Sequence, residues 1–220
     1  MIDTKIYGNP EAKVCIIRLI GEHEKNQIEY EIEEIKATCG EDNWCMVKVP
    51  VENWEDDLTP WPTDAMGKDE GRAGARDTLN RITDEIIKDI SDRYPLADRR
   101  YYLVGYSLAG LFALWATYNS DIFAGAAAVS PSVWYPGWLE YIKSHKPMAE
   151  DIYLSIGSKE HKTRNQLMAS VRDNINAQYD ALKSAGIHTI LEINEGNHFK
   201  DPHIRVAKGI KWLVKEFYGV

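Results

Sequence analysis

The chain has 220 residues, 44% of them hydrophobic and 27% charged, the make-up of a globular protein with ample material for a core. Its formal net charge of -8 argues against nucleic acid and anionic membrane surfaces as partners, because both repel a chain of that sign. No run of about eighteen apolar residues occurs, so no membrane helix is expected. The stretch Met1 to Gly8 has neither the basic segment nor the apolar region of a secretory signal.

Val14 to Ile20 is a short apolar run closed by Gly21, and it reads as a strand buried on both faces. After the polar Glu22-His23-Glu24-Lys25, Ile28, Ile32 and Ile35 recur at helical spacing, so a helix runs to Gly40. Trp44 to Val49 is the next strand, stopped by Pro50. Val51 to Gly74 shows no period and carries Trp54, Trp61 and several prolines and glycines. A loop that long inside a compact domain is a functional segment, here a lid or pocket loop. Leu79, Ile82, Ile86, Ile87 and Ile90 mark an amphipathic helix that ends before Pro95.

Arg100 to Tyr106 is a strand that runs straight into an apolar helix through Leu111, Leu114 and Trp115 to about Tyr118. Gly125 to Val129 is a strand of small residues, followed by the loop Ser130 to Pro136 and a short helix over Trp138 to Lys143. Ile152 to Gly157 forms a strand, and the loop Ser158 to Lys162 leads to a helix carrying Leu167, Val171, Ile175, Tyr179 and Leu182. Gly186 stops that helix. Thr189 to Ile193 is the last strand, and Asp201-Pro202 opens a closing helix that reaches Phe217. Strand and helix alternate about six times. That alternation predicts a single α/β domain over residues 1–220, with a mostly parallel sheet, right-handed crossovers and helices on both faces.

In such a sheet, ligands bind beyond the carboxyl ends of the strands. The stretch Gly105-Tyr106-Ser107-Leu108-Ala109-Gly110 joins strand to helix at that edge. Small residues two before and two after the serine permit the sharp turn of a nucleophile elbow. Glu160 and His198 also follow strands directly, so nucleophile, acid and histidine arrive in the chain order of an α/β-hydrolase triad. A serine hydroxyl is a poor nucleophile at neutral pH, so an imidazole must take its proton and a carboxylate must orient that imidazole.

His23 and His161 compete with His198, since both lie on the same edge. His188 is at the amino end of a strand, and His203 sits in the first turn of the closing helix. Asp151 lies at the amino end of its strand, which leaves Glu160 as the acid, with a Ser-His pair lacking a defined acid as the alternative. An oxyanion hole would draw one N–H from Leu108 and another from the Gly21-Glu22 loop. Trp54, Trp61, Trp134, Tyr135 and Trp138 fall in irregular segments or short elements on the same edge, and with Tyr106 they are candidates for an aromatic substrate pocket. No metal-ligand spacing and no cofactor fingerprint appears. Cys15, Cys39 and Cys45 form an odd set that fits reduced thiols and a cytoplasmic protein.

On these motifs the chain resembles the α/β-hydrolase superfamily, and within it the Putative esterase family that includes esterase D, enterochelin-type siderophore esterases and feruloyl esterases. The resemblance is carried by the Ser107 elbow, Ser130-Pro131-Ser132-Val133-Trp134-Tyr135, Gly157-Ser158-Lys159-Glu160 and Gly196-Asn197-His198-Phe199. It covers Val14 to Phe217. It implies Ser107 as nucleophile, His198 as base and Glu160 in the acid position. Ala109 replaces the usual second glycine, and the amino-terminal antiparallel strands of larger relatives are nearly absent. The resulting expectation is a serine carboxylic-ester hydrolase acting on a small soluble ester, without cofactor, and with a homo-oligomer left open. The alternatives are a non-catalytic binding protein on the same fold, or a thioesterase or transacylase.

Overall fold

A computed structural model describes residues 5–65 and 73–219. Residues 66–72 of the expected pocket loop lie outside that range, as do the first four residues and the last. Seven strands form one sheet in the order β1-β3-β2-β4-β5-β6-β7. They are β1 (Ile6–Gly8), β2 (Val14–Ile20), β3 (Trp44–Pro50), β4 (Arg100–Tyr106), β5 (Phe123–Val129), β6 (Asp151–Gly157) and β7 (His188–Asn194). All neighbours run parallel except β1, which pairs antiparallel with β3 through Ile6 and Val47. This short strand forms an antiparallel edge to the sheet. Three residues are too few to show a period, so it is invisible in the sequence.

The helices are α1 (Ile28–Cys39), α2 (Trp54–Leu58), α3 (Ala75–Arg81), α4 (Lys88–Arg93), α5 (Leu108–Thr117), α6 (Trp138–Ser144), α7 (Gln166–Ala169), α8 (Val171–Ser184) and α9 (Pro202–Tyr218). A π-helical stretch, Ile82–Ile87, joins α3 to α4 and buries Ile82, Ile86 and Ile87 together. Two apolar cores lie on the two faces of the sheet. One contains Ile17, Leu19, Leu103 and Leu111 under α5 and α8, and the other contains Ile16, Val104, Ile32 and Ile210 under α1 and α9. Every residue of β2 is buried, as expected of a central parallel strand covered on both sides. Every residue of α5 is buried as well. Its lack of a polar face reflects packing all round rather than a surface position.

The segment from Val51 departs from a plain loop. Leu58 and Thr59 are buried, and α2 is tied to the start of α3 by Gly74 N to Asp56 O at 2.8 Å and Ala75 N to Thr59 O at 3.2 Å. The hydroxyl of Thr78 donates to Asp57 O at 2.7 Å. Further along, Trp61 Nε1 donates to Pro136 O at 2.7 Å and Tyr135 OH donates to Trp61 O at 2.6 Å. The described part of this segment is therefore pinned to the body of the domain. Among the described residues no helix is long and apolar enough to cross a membrane.

Candidate active site

Ser107 is the hinge between β4 and α5, with φ 58° and ψ -119°. An L-residue rarely takes that conformation, and it lifts the hydroxyl out of the strand. Gly105 makes the turn possible. A Cβ there would lie 2.1 Å from Ala109 O and 2.2 Å from Ala109 C, both backbone atoms. Gly105→Ala is therefore expected to force the elbow open and to destabilise the protein by about 3 kcal/mol, the upper end for overpacking. Urea unfolding checks this, and a variant as stable as the parent would contradict the tight turn.

The hydroxyl of Ser107 lies 3.1 Å from His198 Nε2. His198 Nδ1 lies 2.7 Å from Glu160 Oε2. The three side chains thus form a continuous hydrogen-bonded chain from hydroxyl to imidazole to carboxylate. Ser107 follows β4, Glu160 follows β6, and His198 follows β7, so parallel strands bring all three to one edge. Ser107 N donates to Val129 O at 3.0 Å, and Ser132 N donates to Ser107 O at 3.0 Å. The elbow backbone is thereby clamped to the end of β5.

Glu160 is nearly buried, at 8% exposed, and its second oxygen is fully engaged. Oε1 accepts from Gly157 N at 2.6 Å, Ser130 Oγ at 2.7 Å and Arg205 Nη1 at 3.0 Å. Burial pushes this carboxyl upward, but the hydrogen bond and charge of His198, with the Gly157 N–H and the Ser130 hydroxyl, outweigh it and hold the group below its usual value. It is a carboxylate at neutral pH, the form that orients and stabilises a protonated imidazole.

The three N–H groups expected to form an oxyanion hole differ in whether they already have an acceptor. Leu108 opens α5, so its N–H has no acceptor within the helix. On β2, Arg18 pairs with Val104 of β4, and Gly21 follows the carboxyl end of β2 as Ser107 follows that of β4. The Gly21 N–H, however, donates to Glu24 Oε2 at 3.1 Å and is not available to a substrate. Glu22, the first residue of the short 3-10 helix Glu22–Gln27, has an N–H with no acceptor in that helix. The Glu22 carboxylate pairs with Lys25 at the surface. Beneath this loop, Arg18 is fully buried and donates to Glu24 Oε1 at 2.8 Å and Glu31 Oε1 at 2.9 Å. Charge on an otherwise apolar strand was the sequence signal for that anchor.

A cavity of about 500 Å³ opens at Ser107 and His198, with Trp134, Met168, Val171 and Phe199 as apolar wall and Lys159 and Lys162 at its rim. Of the aromatic candidates, Trp134 is the one in its lining. Trp61 instead stacks with Trp138 at 6.3 Å and meets Tyr135 at 6.0 Å. Tyr135 is 2% exposed and offers no face to a ligand. Trp138 is fully buried, with Nε1 donating to Gln178 Oε1 at 2.9 Å. Trp54 packs edge-on to His23, with ring centres 4.8 Å apart. Tyr106 is buried too, and its hydroxyl donates to the carbonyl of His198, so it holds the histidine loop rather than a substrate. Burial pushes its phenol up to about 12, which keeps it a donor. The residues that sequence reasoning missed are Ser130 and Arg205 behind Glu160, and Met168, Val171 and Phe199 in the cavity.

A profile of the family Esterase, described as Putative esterase, matches residues 26–195. The chain belongs to this family. A curated relative, the uncharacterized protein YbbA of Bacillus subtilis (strain 168), is 25% identical over 181 residues, which cover 76% of this chain and 72% of that protein. Among solved structures, the siderophore hydrolase EstB from Aspergillus nidulans superposes with a TM-score of 0.72 at 17% identity, over 94% of this chain and 84% of that one. The enterobactin esterase FES from Shigella flexneri gives 0.71 at 16% identity, over 97% of this chain. This chain spans only 55% of the Shigella protein. The BES protein from Bacillus cereus gives 0.68 at 18% identity over 94% of this chain and 84% of that one. At these identities the structural likeness establishes an α/β-hydrolase fold, and family membership points to a hydrolase.

Proposed function

We propose that this protein is a serine carboxylic-ester hydrolase that works through an acyl-enzyme on Ser107. The observation that carries the reading is the unbroken hydrogen-bonded chain Ser107–His198–Glu160, with 3.1 Å and 2.7 Å links. As Ser107 Oγ attacks the ester carbonyl, His198 Nε2 takes its proton. The tetrahedral oxyanion is received by the N–H groups of Leu108 and Glu22. When the intermediate collapses, the alcohol leaves with the proton from His198. A water then attacks the acyl-serine, His198 again accepting a proton and returning it to Ser107, which releases the acid. Glu160 stays ionised throughout and fixes the imidazole through Nδ1.

The cavity suits a small soluble ester: its wall is apolar, its rim carries two lysines, and the reactive hydroxyl lies in its lining. Names of structural neighbours as siderophore hydrolase and enterobactin esterase make aryl and siderophore esters sensible first substrates. Incubation with a fluorophosphonate is expected to label Ser107 stoichiometrically, and short p-nitrophenyl esters are expected to turn over. Matched thioester and amide substrates should react more slowly; a faster thioester would move the assignment to thioesterase. A protein that is not labelled and turns over no ester would sink the hydrolase reading and favour a binding protein.

A further inference from the structure

Helix α9 brings a charge into the core beside the acid. Arg205 is 2% exposed, on a helix face shared with buried Gly209 and Leu213. A cation there loses its hydration, so it is held only where it is paired and hydrogen-bonded. Its guanidinium makes four hydrogen bonds. Nη1 donates to Glu160 Oε1 at 3.0 Å and to Ser130 Oγ at 3.2 Å, while Nη2 donates to Glu195 O at 3.1 Å and Asn197 O at 2.9 Å. Glu195 and Asn197 belong to the loop that presents His198. One rigid fork therefore touches the acid and the loop of the base at once, a reach that a lysine ammonium lacks. Space at this junction is tight: a Cβ on Gly157 would meet Gly196 O at 2.6 Å and Arg205 Nη1 at 3.0 Å.

We propose that Arg205 is a positioning residue for ester hydrolysis, clamping the Glu160 carboxylate to the His198 loop so that acid and base face Ser107 as one unit. The proposal rests on the hydrolase reading above. It has two consequences. The clamp sets geometry, so loosening it lowers kcat more than it raises KM. The charge also matters, because a cation on the far oxygen of Glu160 weakens that carboxylate's pull on the imidazolium. The other groups facing His198 are Ser107 at Nε2, Tyr106 at its carbonyl, Phe199 beside the ring, and Lys159 and Lys162 at the cavity rim. Replacing Arg205 changes the chemical identity of none of them.

The experiment compares wild type, Arg205→Lys and Arg205→Met in one ester assay, with rates expressed per site titrated to completion by a fluorophosphonate and folding checked by thermal melting. Both variants are expected to lose about 100-fold in kcat, the scale of a misplacement near 1 Å, with KM within about two-fold of wild type. In Arg205→Met the acid limb of the kcat/KM profile is expected to move to higher pH by about 0.5 or more, since a nearby like charge has been removed. In Arg205→Lys the charge remains and the limb stays. A merely structural residue would change the melting temperature and the number of active sites, but neither kcat per site nor the limb. Wild-type kcat per site in Arg205→Lys overturns the proposal, and that variant decides alone if Arg205→Met does not fold. An inactive, unlabelled wild type takes down the hydrolase reading and this one with it; an active wild type with unaffected variants takes down this one only.

Discussion

Ser107→Gly is expected to abolish ester turnover, by about 10⁶-fold in kcat, while making the protein more stable than Ser107→Ala. Both variants remove the hydroxyl that reaches His198, so both should be equally inactive and should fail to react with a fluorophosphonate. They differ at the backbone. With φ 58° and ψ -119°, the position holds any L-residue in a sparsely populated conformation that costs about 1–3 kcal/mol, and alanine keeps that strain. Glycine relieves it, at an entropic cost of about 0.5–1 kcal/mol. The net expectation is a gain of about 1 kcal/mol, or about 2–4 °C in Tm for a chain of this size. Denaturant unfolding of the two inactive variants measures the difference directly. A glycine variant less stable than the alanine variant would show that the elbow is unstrained, and an active Ser107→Ala would remove Ser107 from the chemistry.

Glu160→Ala is expected to damage both stability and turnover. It strands Arg205, which is 2% exposed, without its counter-charge, a change that costs about 3–5 kcal/mol when one partner of a buried pair is removed. It also frees the His198 ring, and loss of the orienting acid lowers kcat by about 10⁴-fold. Glu160→Gln keeps the shape and should lose less stability. Its deficit depends on pH. The carboxyl of folded Glu160 sits below its ordinary value of 4.5, because His198, the Gly157 N–H and Ser130 overcome the upward push of burial. A depressed value means that the carboxylate's contribution is complete above the unfolded value and is lost as pH falls through the folded one. The gap between wild type and Glu160→Gln should therefore be full at neutral pH and shrink on acidification below about pH 4. Urea unfolding at neutral and acid pH tests this. A gap that ignores pH would mean that Glu160 is not an ionised, paired carboxylate, and the Ser-His pair would be the better description.

The sequence itself marks the segments that meet at this edge. Gly105, Ala109 and Gly110 around Ser107 announce a tight strand-to-helix turn, and Glu160 and His198 announce themselves by following strands. The aromatic pocket was misread for a definite reason. Loop position does not say which way a ring turns, and Trp61, Tyr135 and Trp138 turn inward to staple one segment to another. The Gly21 N–H is taken by the Glu24 side chain three residues on, a capping bond of the short helix that follows. Arg205 carried a signal, a charge on the buried face of an amphipathic helix, but its target lies 45 residues away in the chain. Such pairings depend on which strands become neighbours.

Periodicity and punctuation in the chain determined the alternating elements, the parallel sheet and the edge at which Ser107, Glu160 and His198 emerge. These are local matters, set by side-chain spacing, small residues and turn formers. Tertiary structure decided everything that depends on distance: the strand order that brings β4, β6 and β7 to one side, the placing of His198 beside Ser107, and the partners of the second oxygen of Glu160. It also decided which aromatic rings face the cavity. The physical reason is that a hydrogen bond needs its partners within about 3 Å, and no spacing along the chain specifies that for residues brought together only by packing.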